Sequence, residues 1–84
     1  MELRKVFARN LRLARTNARL SQEEIADAAG LDRTYISALE RCLYSASLDT
    51  IERIADALGI EAADLLRVPE RKISPRAQRR ASER

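Results

Sequence analysis

The segment from Ser21 to Arg41 restricts the fold more than any other part of this 84-residue chain. Ser21 and Glu24 have the spacing of a capping box, in which each side chain satisfies a free backbone amide at the start of a helix. Gly30 ends that helix, because the residue after a helix C-terminus often needs a positive φ. Asp32 is placed to begin the next helix. The chain must therefore form two short helices joined by a sharp corner.

Close packing of these two helices requires a small residue between them, and Ala26 supplies it. The order of Ala26, then Gly30, then Ile36 is the spacing of a helix-turn-helix, with Ile36 and Leu39 pointing inward from the second helix. We place the motif at about residues 22–41. The alternative is an ordinary helical hairpin within a small bundle.

Three further helices are predicted from hydrophobic residues that recur with helical spacing. The first runs from about Glu2 to Ala18, the fourth lies between a capping Ser47 and Gly59, and the fifth spans roughly residues 62–66. Glycine and proline number two each and aromatic residues make up 4% of the chain, which disfavours a turn-rich β domain. The sequence predicts an all-α, five-helix domain at residues 1–66, followed by a flexible basic tail at 67–84.

Positive charge is gathered at the two ends of the chain. The formal net charge is +3, yet residues 1–20 carry six Lys/Arg and one Glu, and residues 67–84 carry seven Lys/Arg and two Glu. Residues 21–66 are acidic. This separation favours a polyanionic partner, nucleic acid before membrane. A solvated surface with a basic tail is the alternative.

Composition excludes several classes of function. The chain has no His and one Cys, which removes the commonest general base and the usual zinc ligands. No pair of nucleophile and base and no glycine-rich phosphate loop is present. No apolar run is long enough for a membrane span, and no signal peptide precedes the domain. We therefore expect a cytoplasmic protein that is not an enzyme, with no metal, cofactor, membrane or small-molecule ligand.

Several motifs together resemble one known family. The segments that carry the resemblance are Leu20–Ala26, Ala29–Leu31, Tyr35–Ser37, Leu39–Arg41, Ser47–Ile51 and Ile54–Ile60. They are similar to the Cro/phage-repressor (XRE-type) helix-turn-helix family over about residues 5–66. The run Leu31–Ser37 also resembles the controller proteins of restriction–modification systems.

The resemblance implies a phage-repressor-like fold that binds operator DNA as a homodimer and regulates transcription. The recognition helix, at about residues 32–41, would enter the major groove. The implied DNA-contacting residues are Gln22, Arg33, Thr34, Tyr35, Ser37, Ala38 and Arg41. Arg33 can contact a guanine edge with two hydrogen bonds, and Ala38 only a methyl group. Gln22 would meet a phosphate at the start of its helix, and Tyr35 either contacts DNA or packs on the helix flank.

The resemblance also implies an ion pair between Arg15 and Glu40 that ties the first helix to the third; two independent surface charges are the alternative. Cys42 departs from the family, which usually has Gly at that position. Because a Cβ in the left-handed region costs about 1–2 kcal/mol, we expect the third helix to end differently here. We interpret Cys42 as a structural thiol, with redox sensing as the alternative.

A symmetric dimer would double the length of DNA that one helix-turn-helix reads. The expected interface is the end of the fourth helix with the fifth, and its residues are Leu58, Ile60, Ala63, Leu65 and Leu66, with Val68 as an addition. The leading hypothesis is a sequence-specific regulator acting on a two-fold operator. The alternative is a protein-interaction or antitoxin-like module that uses the same fold.

Overall fold

The computed structural model describes residues 2–68, which form five helices joined by short turns. The helices are α1 (Leu3–Asn17), α2 (Gln22–Ala29), α3 (Arg33–Glu40), α4 (Leu48–Leu58) and α5 (Ala62–Leu66). The all-α prediction is confirmed, and α5 has the predicted bounds. The predicted tail lies outside the described residues apart from Arg67 and Val68.

The core takes large aliphatic side chains from all five helices. The fully buried ones are Leu11, Ile25, Ile36, Leu39, Ile54 and Leu65. Helix α1 packs on α3 and α5, while α2 packs on α3 and α4. Ile36 and Leu39 point inward as the spacing predicts, and they fix α3 with its opposite face outward. On α1, Leu3 and Leu13 remain exposed because they lie beyond the edge of the buried stripe.

In two of the helices the side chain of the N-cap residue accepts a hydrogen bond from the first turn. Ser21 Oγ accepts from the Glu24 amide at 3.0 Å, and the Ser21 amide donates to Glu24 Oε1 at 2.8 Å, which completes the predicted capping box. Ser47 caps α4 in the same manner, accepting from the Thr50 amide at 3.1 Å. Asp32 occupies the N-cap position of α3 without a side-chain capping bond.

The first four helices end in the same type of left-handed turn. The left-handed residues are Arg19, Gly30, Cys42 and Gly59, with φ of 61°, 71°, 63° and 72°. After α3, the Cys42 amide donates to Leu39 O at 3.0 Å and the Leu43 amide to Ala38 O at 2.9 Å, the two bonds of a Schellman motif. The expectation that Cys42 would force a different ending is therefore wrong: these bonds and the packing of α3 hold the cysteine in a conformation that glycine adopts more readily.

Cys42→Gly should raise the free energy of unfolding by about 0.5–1 kcal/mol. Removal of the Cβ relieves left-handed strain of about 1–2 kcal/mol, and the added freedom of the unfolded chain offsets part of the gain. Urea denaturation measures the difference. Cys42→Ala keeps the Cβ and serves as the control without gain. A Gly variant less stable than the Ala variant would contradict the strain.

Candidate DNA-binding surface

The outward face of α3 begins with two exposed polar side chains. Arg33 and Thr34 occupy its first turn and are exposed, and Ser37 follows one turn later, half-buried. The inward residues Ile36 and Leu39 hold the helix in the core. The first turn of α3 therefore presents a guanidinium and a hydroxyl to the exterior from a rigid support.

Ala38 does not belong to this outward face. Only 6% of its surface is exposed, so the expectation that its methyl group faces the DNA is corrected. The chain turns back after α3, and the Leu43 amide bonds to the carbonyl of Ala38. This end of the helix is therefore closely packed.

A buried carboxylate joins α3 to both of its neighbours. Glu40 Oε2 accepts from Arg15 Nε at 2.5 Å, and its Oε1 accepts from Arg15 Nη2 at 3.0 Å. The same Oε1 accepts from Gln22 Nε2 at 3.1 Å. Arg15 also donates to Leu20 O at 2.9 Å, in the turn before α2. The structure thus brings together Arg15, Glu40 and Gln22, although sequence reasoning paired only the first two.

Within this cluster, Arg15 keeps its positive charge over the ordinary pH range. The hydrogen bond with Glu40 raises the pKa of Arg15; burial opposes this rise and the negative charge of Glu40 adds to it. A raised pKa gives stabilisation that is complete below the unfolded value and is lost only as the pH rises through the folded value. Both values for an arginine lie far above neutrality. Arg15 therefore remains a cation wherever the domain is studied.

The first turn of α2 lies beside this cluster. The capping box uses the amides of Ser21 and Glu24, whereas the amides of Gln22 and Glu23 point out of the helix without an intrahelical acceptor. Gln22 is half-buried, and its Nε2 donates one hydrogen to Glu40 and keeps a second. Because an acceptor-only carboxylate faces that nitrogen, the orientation of the amide is fixed.

Two tyrosines join α3 to the loop that follows it. Tyr35 is half-buried, and its ring centroid lies 6.3 Å from that of Tyr44, with the planes tilted by 37°. Tyr44 is 58% exposed. Sequence reasoning missed Tyr44, since nothing in the loop pattern shows that it returns to α3. Arg41, which ends α3, is exposed beside the same loop.

The expected dimer residues do not form one patch. Leu65 is fully buried in the core of the monomer and cannot contact a partner, which corrects that expectation. Leu66 borders a groove shared with Leu3 and Leu48, whereas Leu58 and Ile60 border a separate groove. Ala63 is exposed, as is Val68.

Residues 2–68 have neither a candidate metal site nor a candidate membrane span. No group of three or more metal-ligating side chains is close enough together to hold an ion. No helix in that part of the chain has the length and apolar character needed to cross a bilayer.

The fold and this surface define a helix-turn-helix protein. A family model described as "Helix-turn-helix" matches residues 11–65. The chain belongs to this family of DNA-binding transcription regulators, which are not enzymes. Phage repressors and restriction–modification control proteins are among the relatives, so the resemblance drawn from the motifs is confirmed.

The similarity extends to individual proteins and solved structures. A hypothetical transcription factor of Neisseria meningitidis is 49% identical over 72 residues, covering 86% of this chain and 68% of that protein. The control protein C.BamHI of Bacillus amyloliquefaciens is 48% identical over 58 residues, 69% of each chain. The crystal structure of the restriction–modification controller C.AhdI from Aeromonas hydrophila has a TM-score of 0.72 and 42% identity, covering 74% of this chain and 94% of that one.

Glu40→Ala should lower the free energy of unfolding by about 3–5 kcal/mol. The substitution leaves Arg15, whose side chain is 14% exposed, without its counter-charge, and an uncompensated charge in a buried site carries a penalty of this size. Urea denaturation measures the loss. The double variant Arg15→Met/Glu40→Leu should lose less, because no charge is left alone. Equal losses in the single and double variants would contradict this account.

Proposed function

We propose that this protein is a cytoplasmic, sequence-specific transcriptional regulator that binds a two-fold operator as a homodimer. The observation that carries the proposal is the first turn of α3, where Arg33 and Thr34 are exposed on a helix fixed in the core by Ile36 and Leu39. A recognition helix reads bases with its N-terminal residues in the major groove. The exposed first turn has the side chains that such reading requires.

Arg33 is proposed to read a guanine. Its guanidinium can donate two hydrogen bonds to the O6 and N7 of one base, which the major groove of no other base pair accepts in the same positions. Thr34 contacts a thymine methyl or a phosphate, and Ser37 supplies a hydroxyl one turn further. Tyr35 keeps its two possible roles, because its ring already packs against Tyr44.

Gln22 and Arg41 are proposed to position the protein on the phosphate backbone. Gln22 offers its backbone amide and the second hydrogen of Nε2, both at the positive end of α2. Glu40 orients that side chain and is itself part of α3. The phosphate contact and the reading helix are therefore held in one network, so that register on the backbone determines which bases α3 meets.

Dimerisation is proposed to use the surface around α5. Ala63 is exposed on that helix, the half-buried Leu58 and Ile60 line one groove and the half-buried Leu66 lines a second, so the proposed interface spans two grooves rather than one continuous patch. An isologous contact places two copies of α3 at one spacing along the duplex. The buried Leu65 supports this surface from within the core.

Arg33→Ala should weaken binding to the preferred sequence by about 1–3 kcal/mol and remove the preference at one base pair. Binding-site selection from random DNA provides the sequence, and titration against single base-pair variants gives the free energies. Arg53→Ala is a matched control on the exposed face of α4. Equal weakening on every sequence would show that Arg33 does not read a base.

Ala63→Glu should raise the dimer dissociation constant at least tenfold, about 1.4 kcal/mol, because two like charges would face each other across the symmetry axis. Sedimentation equilibrium measures this constant. Ala28→Glu places the same charge on an exposed position of α2 and should leave it unchanged. A monomer at micromolar concentration in the wild type, or equal effects of the two variants, would exclude an interface at α5.

A further inference from the structure

The outer face of α1 carries an unusual excess of positive charge. Residues 3–15 contain four Arg and one Lys, and the whole helix, residues 3–17, contains no acidic residue. Arg15 is paired with Glu40, and the other described salt bridge is between Arg67 and Asp64. Lys5, Arg9 and Arg12 are exposed and take part in neither ion pair. We call these three residues the α1 ridge.

The α1 ridge is unfavourable for the helix that carries it. Lys5 and Arg9 are four residues apart and Arg9 and Arg12 three, spacings at which like charges repel on a helix surface. The first turn holds no acidic residue and has cations at Arg4 and Lys5, where the helix dipole disfavours them. Helix stability therefore does not explain this arrangement, and a ligand of opposite charge would.

The α1 ridge lies next to the end of α3. Lys5, Arg9 and Arg12 line one shallow groove together with Arg41 and Cys42. Glu40 also borders the groove, but its carboxylate is only 3% exposed and is occupied by Arg15 and Gln22. Four cations thus border the groove, and its one carboxylate is already paired.

We propose that the α1 ridge, extended by Arg41, binds the phosphates of duplex DNA without regard to sequence and forms a second DNA-contacting surface beside the recognition helix. The inference rests on the proposed function, because it takes duplex DNA as the ligand. The phosphates belong either to the operator beyond the bases read by α3 or to a second duplex.

The dimensions and surroundings of the α1 ridge favour a nucleic acid. From Lys5 to Arg12 the helix rises about 10 Å, and a duplex carries one charge per about 1.7 Å of its axis, so several phosphates lie within reach. Asn10 Nδ2 also donates to Leu65 O and Arg67 O, both at 2.9 Å, which holds the end of α5 against α1.

The test compares the full-length wild type with Arg9→Gln/Arg12→Gln. Affinity is measured from 50 to 300 mM salt on the selected operator and on a random duplex of equal length. The plot of log affinity against log salt should lose about 0.9 in slope for each phosphate contact removed. Affinity should fall by the same factor on both duplexes, which leaves their ratio unchanged. The melting temperature should not fall, since the substitutions relieve repulsion.

Two matched variants separate a local contact from overall charge. Arg53→Glu lowers the net charge by the same two units on the exposed face of α4, away from the groove, and should keep the wild-type slope. Arg9→Lys/Arg12→Lys keeps the cations and should keep it too. The number of duplexes bound per dimer, measured with the wild type, distinguishes the operator flank from a second duplex.

An unchanged slope in Arg9→Gln/Arg12→Gln would overturn the proposal, as would an equal loss of slope in Arg53→Glu. Binding to polyglutamate is measured in parallel. If Arg9→Gln/Arg12→Gln lost binding to polyglutamate but kept its DNA affinity, the proposal would be overturned and the ridge would be assigned to an acidic protein. Arg33→Ala tests the proposed function separately, because loss of a base contact changes the ratio between the two duplexes and not the slope. If Arg9→Gln/Arg12→Gln lowers the slope while Arg33→Ala leaves the affinity ratio between the two duplexes unchanged, the ridge proposal stands and base reading by Arg33 is refuted.

Discussion

The structure depends on one buried carboxylate. Glu40 belongs to α3, the helix whose first turn exposes Arg33 and Thr34, and it accepts hydrogen bonds from Arg15 on α1 and Gln22 on α2. A buried ion pair contributes little net stability when compared with apolar packing, since desolvation offsets the attraction. Its contribution here is to link specific helices to one another. Its three hydrogen bonds tie α3 to both α1 and α2 at one point.

The left-handed turns complement this carboxylate by ending the helices sharply. Glycine occupies this conformation after α2 and α4, where the corner is predictable from sequence. Arg19 and Cys42 adopt it without that advantage. Local hydrogen bonds hold both turns: Arg15 donates to the carbonyl of Leu20 next to the first, and the Cys42 and Leu43 amides donate to carbonyls of α3 in the second. The turns at Arg19 and Cys42 carry backbone strain, and they keep the connections between helices short.

Local signals explain which parts of the structure were predictable. The capping box at Ser21, the stop at Gly30 and the spacing of Ile36 and Leu39 are all features within one or two helical turns, and each was found where the pattern indicated. Burial of Ala38 and Leu65 was not predictable in this way, because it depends on segments that are distant in sequence or fold back after the helix ends. The hydrogen bond from Gln22 to Glu40 and the approach of Tyr44 to Tyr35 join residues on different segments. The hydrophobic periodicity of one segment does not indicate where it meets another.

The division of α3 into two faces has a consequence for how such proteins diverge. Ile36, Leu39 and Glu40 secure the helix from inside, while Arg33 and Thr34 contribute nothing to the core. Replacement of the outer pair leaves folding almost untouched, because surface changes of this type alter stability by only about 0.5 kcal/mol. Single substitutions at these two positions can therefore change the chemistry of the exposed turn while the buried scaffold that supports it stays the same.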